Sequence, residues 1–312
     1  KDLIIDIGSN DGNLLKYFKK KNCSVIGIEP AKHISDKANK NGIYTVNAYF
    51  NKKTIKKLNN KFGKAKVVTA NNVFANIDNI NQWIKLIKLI LKKDGFFILE
   101  SFYLRDFLKN KVFDFIYHEH HSAFSLKPII YLCNKHGLKL VHAERTESKG
   151  GSLRYYICRK NFNEFRKKNI LRNLLKKEVV EKIYSKSTYK SFYKTIDIQK
   201  NRLINFIRKN KNKKIYGFGA SITCITLIYQ FGLEKKIKLL FDDNSIKQGM
   251  LSPGEKILIK KLNLQSISKN SVLLILAWRY QEAIVKKHKN NLKKFKNVIQ
   301  VMPKFKKLIY KK

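Results

Sequence analysis

The stretch Asp2–Gly12, DLIIDIGSNDG, decides the fold of this 312-residue chain. It joins an apolar strand to an acidic residue, Asp6, and to a glycine turn with D-x-G-x-x-x-G spacing. Such a turn brings backbone N–H groups close to a ligand, because glycine has no Cβ and tolerates positive φ. A second apolar strand over 24–28 ends in Glu29, where folds of this kind place an acid against a ribose diol. The pattern predicts a ribose-bearing cofactor whose polar end is held by Asp6.

The spacing of this turn differs from the G-x-G-x-x-G dinucleotide fingerprint and resembles the first motif of class I S-adenosylmethionine-dependent methyltransferases. The resemblance implies that Asp6 faces the methionine end of S-adenosylmethionine and that Glu29 binds the ribose hydroxyls. Further cofactor-binding residues are expected in the turn and after the fourth predicted strand: Gly8, Asn10, Gly12, Asn71 and Asn72. A generic glycine turn between a strand and a helix is the alternative interpretation.

Hydrophobic periodicity predicts two α/β halves joined by helices. Over residues 1–160, short apolar strands alternate with helical patterns, which indicates a class I methyltransferase Rossmann-like parallel sheet. Residues 161–210 are predicted to be a helical connector, because the stretch 163–209 has no glycine or proline. A second, smaller Rossmann-like α/β domain is expected over 211–312. Strands are predicted near residues 2–7, 24–28, 43–46, 65–70, 95–100, 137–144 and 152–158, and in the second domain near 214, 237–241 and 272–277.

The chain carries a formal net charge of +45, which ordinarily points to nucleic acid or to an anionic membrane surface. The excess is mostly lysine, with 58 lysines spread through every segment and nine arginines. Phosphate-binding surfaces rely on arginine forks concentrated on one face. We therefore interpret the charge as lysine on solvated faces, with a polyanion-binding surface as the alternative. We expect neither a specific nucleic-acid partner nor a membrane.

Apolar runs and cysteine usage indicate a cytoplasmic globular protein. The apolar runs are far shorter than the roughly 18 residues that a spanning helix needs, and no signal peptide opens the sequence. The four cysteines are scattered without a C-x-x-C pair and are expected to be reduced thiols. The chain begins directly on the first predicted strand, so we expect that an N-terminal segment of the full-length protein is missing.

The densest cluster of titratable side chains is Tyr117-His118-Glu119-His120-His121. It follows the fifth predicted strand by one helix, so it should lie at the carboxyl edge of the sheet, where open α/β folds bind ligands. A metal site, a general acid/base site and a solvent-exposed polar turn are the three interpretations. Metal ligands at positions i and i+2 converge only in an extended segment, and no companion pair of the usual spacing accompanies them. Acid/base chemistry is therefore favoured, and no metal is expected.

Several motifs together resemble the sugar C-methyltransferases of deoxysugar biosynthesis. In the first half they are G-S-N-D-G at 8–12, G-I-E-P at 27–30, N-N-V-F-A at 71–75, Y-H-E-H at 117–120 and G-G-S-L-R at 150–154. In the second half they are G-F-G-A-S at 217–221, K-Q-G at 247–249 and P-G at 253–254. The resemblance covers nearly the whole chain. It implies a C-methyltransferase that acts on a nucleotide-linked keto-deoxysugar.

The family resemblance implies carbon-acid catalysis, in which a base removes the proton next to a ketone and the enolate carbon attacks the sulfonium methyl. By resemblance, His120 is the general base, a role that suits an imidazole titrating near neutral pH. Glu119 and Tyr117 would orient this base or polarise the ketone, and His118 would be a supporting partner near the substrate. His121 lies outside the motif.

The resemblance also implies that both domains contact the sugar nucleotide. Its phosphates would lie near the second glycine turn, and Lys247 would be a counter-ion of the diphosphate, with one more solvated lysine as the alternative. NAD is disfavoured at this turn, because Ile222 stands where a third glycine would be. The expected substrate-binding residues are Asn76, His118, Ser152, Arg154, Gly217, Gly219, Ser221 and Lys247.

The chain departs from the family pattern in two ways. Asn76 stands where the family often has a histidine, and asparagine can donate a hydrogen bond but cannot take up a proton. The family's cysteine-rich, zinc-binding N-terminal domain, which is thought to lend a residue to the active site, is not in this chain. We expect that domain in the full-length protein.

Other functions stay open at the level of the sequence. The charge favours a class I methyltransferase for RNA or DNA, although residues 70–74, ANNVF, lack the N/D-P-P-aromatic motif of amino-directed enzymes. A class I methyltransferase for another small molecule also stays open. Asn76 and the absent domain favour instead a non-catalytic module that binds S-adenosylmethionine. Tight cofactor binding without methyl transfer would distinguish the module from any of these enzymes.

Overall fold

The computed structural model of the chain describes residues 1–162, 168–263, 267, 268 and 270–308, and the chain divides into two compact units. The first unit comprises Lys1–Phe107 and Glu119–Tyr184, and the second comprises Leu108–His118 and Ser185–Lys312. A short stretch between two parts of the first unit therefore belongs to the second. The motif over residues 117–120 is divided between the two units.

The first unit has a seven-stranded sheet, whose strands lie within a few residues of the predicted positions. These strands are β1 (Leu3–Ile7), β2 (Ser24–Ile28), β3 (Thr45–Val46), β4 (Ala65–Asn71), β5 (Leu91–Phe102), β6 (Leu138–Thr146) and β7 (Ser152–Arg159). Its helices are α1 (Asn13–Lys20), α2 (Lys32–Lys40), α3 (Lys52–Phe62), α4 (Ile80–Ile90), α5 (Leu104–Lys109), α6 (Leu126–Lys135) and α7 (Lys168–Val180).

The strand order of this sheet is β3-β2-β1-β4-β5-β7-β6. Strands β1 to β5 pair in parallel, whereas β7 is antiparallel to both of its neighbours, β5 and β6. The prediction of a parallel sheet is therefore wrong for β7. The physical reason is the length of the connection, because only a short turn over 148–150 joins β6 to β7. A parallel neighbour would need a crossover connection of a dozen or more residues.

Helices cover both faces of the sheet, so its central strand is buried along its whole length. Ile5 lies in the larger core together with Trp83 and Ile87 of α4. Ile4 faces the other way and packs in a smaller cluster with Leu15 of α1. This alternation fixes the register of β1, because a slip by one residue would exchange its two faces.

The second unit also has a parallel α/β architecture, as predicted. Its strands are β8 (Lys214–Phe218), β9 (Ile237–Phe241), β10 (Ile259–Lys260), β11 (Ser271–Ile275), β12 (Asn297–Gln300) and β13 (Lys306–Leu308). Its helices are α8 (Lys186–Lys209), α9 (Ile222–Phe231) and α10 (Gln281–Leu292). The strand order is β10-β9-β8-β11-β12-β13, and β13 is antiparallel. The sequence pattern did not predict β10, β12 and β13, which are short strands of two, four and three residues.

The predicted helical connector over 161–210 is divided between the units, and its residues 163–167 lie outside the described residues. Helix α8 belongs to the second unit, whereas α7 belongs to the first. Glu178 explains the position of α7. Its carboxylate is fully buried and accepts hydrogen bonds from the Tyr103 hydroxyl and from the Leu126 N–H, both at 2.7 Å. The boundary between the two units falls in the sequence between residues 184 and 185, and the domain limits at 160 and 210 stay a prediction.

Two further observations bear on the environment of the protein. Among the residues that the structure describes, no helix combines the length and the apolar character that a membrane span requires. The four cysteines are free, and Cys133, Cys158 and Cys224 are buried. Burial raises the pKa of the Cys133 thiol to about 12.

Replacing Glu178 with alanine should lower the free energy of unfolding by about 2–4 kcal/mol, because two buried donors lose their acceptor. Glu181→Ala is the matched control just after α7. Its carboxylate is partly exposed and pairs with Arg105, so its loss should cost no more than about 1 kcal/mol. Urea unfolding of both variants measures the difference. Equal losses would show that Glu178 does not anchor α7.

Candidate active site

A cavity of about 860 Å³ opens at the carboxyl edge of the first sheet, where β1, β2 and β4 end. The strand order reverses between β1 and β4, and open α/β sheets bind ligands at such a switch point. Most residues predicted to bind the cofactor line this cavity: Asp6, Gly8, Asn10, Glu29, Asn71 and Asn72. Gly12 does not line it. It lies in the left-handed region just before α1, and an added Cβ would meet Ile43 Cγ2 at 2.9 Å.

Gly8 packs closely against Val73 in the turn that follows β1. Its φ of 70° lies in the left-handed region, and its N–H donates to the Ile28 carbonyl at 2.8 Å. An added Cβ would lie 2.4 Å from Val73 Cγ2, so no larger side chain fits without displacing its neighbour. The turn therefore keeps its backbone at the floor of the cavity.

Glu29 is buried at the end of β2, where it holds two loops in place. Its carboxylate accepts hydrogen bonds from the Asn10 N–H at 3.1 Å and from the Ala31 N–H at 2.9 Å. Asn10 has a left-handed φ of 50°, so the contact also fixes an unusual backbone conformation. Each carboxylate oxygen has a second lone pair, which leaves Glu29 able to accept hydrogen bonds from a ligand.

Asp6 is the buried carboxylate at the centre of the edge. Thr69 lies opposite it on β4, and the Thr69 hydroxyl donates to Asp6 Oδ1 at 2.6 Å. Burial raises the pKa of Asp6 to about 6; the hydrogen bond from Thr69 opposes this rise, and the nearby charge of Glu29 adds to it. Asp6 is therefore ionised above about pH 6 and neutral below it. Only the ionised carboxylate would attract a cationic ligand.

Polar and apolar groups share the rest of the lining. Asn72 has a left-handed φ of 57°, and its N–H donates to the Glu100 carbonyl at 2.8 Å. Phe50 and Trp83 line the cavity with their ring centroids 5.0 Å apart, and they supply an apolar wall suited to a flat heterocycle.

Lys149 also lines the cavity, and the sequence pattern did not single it out. Its backbone is left-handed, with a φ of 53°, and it precedes the Gly150-Gly151 pair that the sequence interpreted as a turn. Burial lowers the pKa of its ammonium group, and the charge of Glu100 opposes this effect. In the sequence, the position of Lys149 just before a glycine pair was the one feature that could have indicated it. It supplies a cation that could bind a carboxylate or an oxyanion.

The second half of the histidine motif lies in the first unit, close to the cavity lining. The His121 and Ser122 N–H groups both donate to the Ala75 carbonyl, at 2.8 and 3.2 Å. Ala75 belongs to the short helix Phe74–Asn76 that follows β4, and Asn76 lines the cavity. The His120 ring packs against Phe102 with the ring centroids 5.0 Å apart. Glu119 and His120 therefore lie at the carboxyl edge of the sheet, as the sequence predicts.

The first half of the motif, Tyr117 and His118, belongs to the second unit. Their ring centroids are 6.2 Å apart in an edge arrangement. The Tyr117 N–H donates to the Phe115 carbonyl at 3.2 Å, which makes Tyr117 continuous with the helical turn before it.

Ser152 and Arg154 both make contacts within the first unit. The Ser152 hydroxyl is buried and donates to the Ser148 carbonyl at 3.1 Å. The Arg154 guanidinium donates twice to Glu100 Oε2, at 3.0 and 2.8 Å, and once to Glu144 at 2.8 Å. These contacts hold β5, β6 and β7 together beside the cavity. A contact of either side chain with substrate stays a prediction.

The predicted substrate residues of the second unit surround the turn between β8 and α9. An added Cβ on Gly217 would lie 2.5 Å from Leu276 Cδ1, and Ser221 caps α9 by accepting the Cys224 N–H at 3.4 Å. Gly219 has a φ of 112°. The Lys247 ammonium donates to the Ala220 carbonyl at 3.2 Å. These contacts give each residue a role inside the unit, and phosphate binding stays a prediction.

The residues of the cavity fit S-adenosylmethionine. Asn72 Oδ1 is buried and has no hydrogen-bond partner within the described part of the structure, so a donor is expected from a ligand. Asp6 offers a negative charge to an ammonium group, Glu29 offers acceptors to hydroxyls, and Phe50 with Trp83 offers an apolar wall. This donor and acceptor set matches a molecule with an amino acid at one end, a ribose in the middle and an adenine.

Two family matches cover most of the chain. Residues 2–143 match a methyltransferase domain family, and residues 147–303, about half of the chain, match the C-methyltransferase C-terminal domain family. The chain belongs to this family of S-adenosylmethionine-dependent C-methyltransferases. One relative is C-methyltransferase NovU of Streptomyces niveus. It is 28% identical over 294 residues, which cover 93% of this chain and 70% of the relative.

Solved structures with a similar fold include methyltransferases. One is a SAM-dependent methyltransferase from Archaeoglobus fulgidus, with 18% identity and a TM-score of 0.41, covering 47% of this chain and 65% of that one. Another is magnesium protoporphyrin IX methyltransferase from Synechocystis, with 14% identity and a TM-score of 0.40, covering 51% of this chain and 74% of that one.

Replacing Glu29 with alanine should weaken S-adenosylmethionine binding about tenfold to a hundredfold. The variant loses charge-assisted hydrogen bonds to the ribose, worth about 1.5–3 kcal/mol, and frees the Asn10 loop. Isothermal titration calorimetry measures the dissociation constant. Asp36→Ala, which removes an exposed partner of Lys32 on α2, is the control and should bind normally. An unchanged affinity for Glu29→Ala would exclude Glu29 as the ribose residue.

Affinity for S-adenosylmethionine should fall as the pH drops below the Asp6 pKa of about 6. Burial has raised this pKa, so the carboxylate is charged above pH 6 and takes up a proton below it, and only the charged form attracts an ammonium group. The dissociation constant should then rise by up to about tenfold per pH unit. Asp6→Asn should bind weakly and lose this dependence. A pH dependence that persists in Asp6→Asn would assign it to another group.

Proposed function

We propose that this C-methyltransferase transfers a methyl group to a carbon beside the ketone of a nucleotide-linked keto-deoxysugar, through an enolate. The observation that carries the proposal is the pair of hydrogen bonds from His121 and Ser122 to the Ala75 carbonyl. These bonds hold the segment that contains His120 against the short helix whose Asn76 lines the cofactor cavity. A base in that segment could remove a proton from the substrate carbon that receives the methyl group of the cofactor.

A carbon beside a ketone needs a base, because the enolate forms only when its proton is removed. His120 is the proposed base, since an imidazole can take up and release a proton near neutral pH. The Phe102 ring packs against its imidazole and restricts its orientation. The proton moves from the substrate carbon to the imidazole, and the electron pair of that C–H bond moves into the enolate.

The enolate oxygen then needs a donor or a cation nearby. Tyr117 is the proposed donor, with Glu119 orienting the base, and one fixed donor can stabilise such an oxyanion by about 2.7–4 kcal/mol. Lys149 is a second candidate, because it lines the cavity as a cation. Bound S-adenosylmethionine supplies an electrophilic methyl group on a sulfonium.

Asn76 has a supporting role in this proposal. It lines the cavity beside the segment that carries His120, so its amide can hydrogen-bond to a sugar hydroxyl or to the ketone. It cannot take up a proton, which leaves proton removal to His120. The support for this division of roles is the chemistry of the two side chains.

The nucleotide part of the substrate would be bound with the help of the second unit. Gly217 lies near the end of β8, Gly219 and Ser221 lie in the turn before α9, and a helix N-terminus favours phosphate groups. Lys247 lies at this turn and adds a positive charge. His118, Ser152 and Arg154 are proposed to contact the sugar. The resemblance to sugar C-methyltransferases supports these roles.

Replacing His120 with asparagine should lower the rate of methylation by about 10²–10⁴ while ground-state binding of both ligands stays largely intact. The sharper measurement is exchange of the substrate's α-hydrogen with deuterated water when S-adenosylhomocysteine blocks methyl transfer. The wild type should exchange this hydrogen and His120→Asn should not.

His136→Asn is the matched control, because His136 is at the end of α6 and its ring contacts Asn81 on α4. It should keep both activities. Near-normal methylation and exchange by His120→Asn would move the base elsewhere, with Glu119 next.

A further inference from the structure

The segment Leu108–His118 belongs to the second unit, although the chain before and after it belongs to the first. It ends at Tyr117 and His118, the first half of the proposed catalytic motif. Whatever holds this segment in the second unit therefore fixes where Tyr117 is. The segment contains a buried ion pair that the proposed reaction does not use.

Asp114 forms this ion pair at the centre of the segment. It is fully buried, and both of its carboxylate oxygens accept hydrogen bonds from Arg279 Nη1, at 2.6 and 2.7 Å. Trp278 Nε1 also donates to Asp114, at 3.1 Å. Burial raises the pKa of Asp114, and the charge and hydrogen bonds of Arg279 oppose this rise.

Arg279 is itself held on several sides. Its Nη2 donates to the Thr223 hydroxyl of α9 at 3.0 Å. Its guanidinium lies over the rings of Phe115 and Trp278, 4.7 and 4.9 Å from their centroids. The planar guanidinium can make these stacked and forked contacts at the same time, which a lysine ammonium cannot do.

A buried carboxylate is costly unless its partner is in place. The segment can therefore take only a position that brings Asp114 to Arg279, and alternatives leave both charges unpaired. Buried ion pairs of this kind contribute little net stability, but they select one arrangement from many.

The position of Asp114 is passed to Tyr117 through a short run of backbone hydrogen bonds. Asp114 lies within the helical turn Phe113–Phe115. The Ile116 N–H donates to the Phe113 carbonyl at 3.0 Å, and the Tyr117 N–H donates to the Phe115 carbonyl at 3.2 Å. The Phe113 ring stacks on Phe231 of α9, with centroids 5.1 Å apart and an interplanar angle of 9°. Tyr117 is thus the end of a rigid turn.

We propose that Asp114 and Arg279 are positioning residues that hold Tyr117 in place within the second unit. The inference rests on the proposed function, in which Tyr117 stabilises the enolate. It adds that this ion pair affects the rate of methyl transfer through the position of Tyr117.

A double-mutant cycle tests whether Asp114 acts through Tyr117. Asp114→Asn should lower kcat about 10–100-fold, because a shift of about 1 Å in a catalytic group has this effect, while its cofactor dissociation constant stays unchanged. Tyr117→Phe should also lower kcat. In the Tyr117→Phe background, Asp114→Asn should have little further effect, because the group that it positions is already gone. Effects that multiply would overturn the inference.

Hydrogen exchange followed by mass spectrometry tests the position without a substrate. The peptide that contains 113–118 should exchange about tenfold faster in Asp114→Asn, whereas β8 and β11 should keep their protection. Asp94→Asn is the matched control, since Asp94 pairs with Lys66 in the first unit. It should change neither exchange nor kcat. If Asp114→Asn unfolds, Arg279→Lys replaces it, because that variant keeps the buried positive charge.

The two measurements separate the inference from the proposed function. Unchanged exchange of 113–118 overturns the inference, whatever the enzyme methylates. Failure of the wild type to methylate any nucleotide keto-sugar contradicts the proposed function, and the exchange experiment then decides alone whether the ion pair holds the segment.

Discussion

The parallel pairing of β1 with β4 is the constraint on which the active site depends. It sets Asp6 opposite Thr69 and brings the Gly8 turn and the Asn71–Asn72 pair to the same edge of the sheet. The Thr69 hydroxyl compensates in part for the burial of the Asp6 carboxylate, whose pKa nevertheless rises to about 6. A cationic group of the cofactor would complete this compensation by favouring the charged form. The register of these two central strands therefore determines the charge that the cavity offers to the cofactor.

The sequence predicted the parts of the structure that short-range patterns control. The pattern of apolar runs and glycine turns predicted the seven strands of the first sheet. Of the seven residues predicted to bind the cofactor, six line the cavity. The orientation of β7 and the unit to which α7 belongs depend on contacts far apart in the chain. Glu178, for example, meets Tyr103 and Leu126, which no local pattern reveals. Lys149 was missed for a related reason, because its place before a glycine pair is a weak signal among 58 lysines until the cavity is seen.

Four buried carboxylates each hold a neighbouring part of the chain in place. Glu29 holds the Asn10 loop, Glu100 holds Arg154, Asp114 holds Arg279 and Glu178 holds the start of α6. In each case a buried acceptor is matched by a specific donor, so an alternative arrangement would leave a charge unpaired. This use of acids is notable in a chain with so large a lysine excess. These four buried acids define local geometry in a chain whose charge excess is mostly lysine.

The most direct test of the account is to identify the atom that receives the methyl group. The protein is incubated with S-adenosylmethionine carrying a carbon-13 methyl and with a panel of nucleotide-linked keto-deoxysugars, and the product is analysed by mass spectrometry and NMR. The account predicts a gain of one methyl group, with a carbon–carbon bond to the ring carbon beside the ketone. A methyl group on oxygen or nitrogen, or transfer to nucleic acid but to no sugar of the panel, would contradict it.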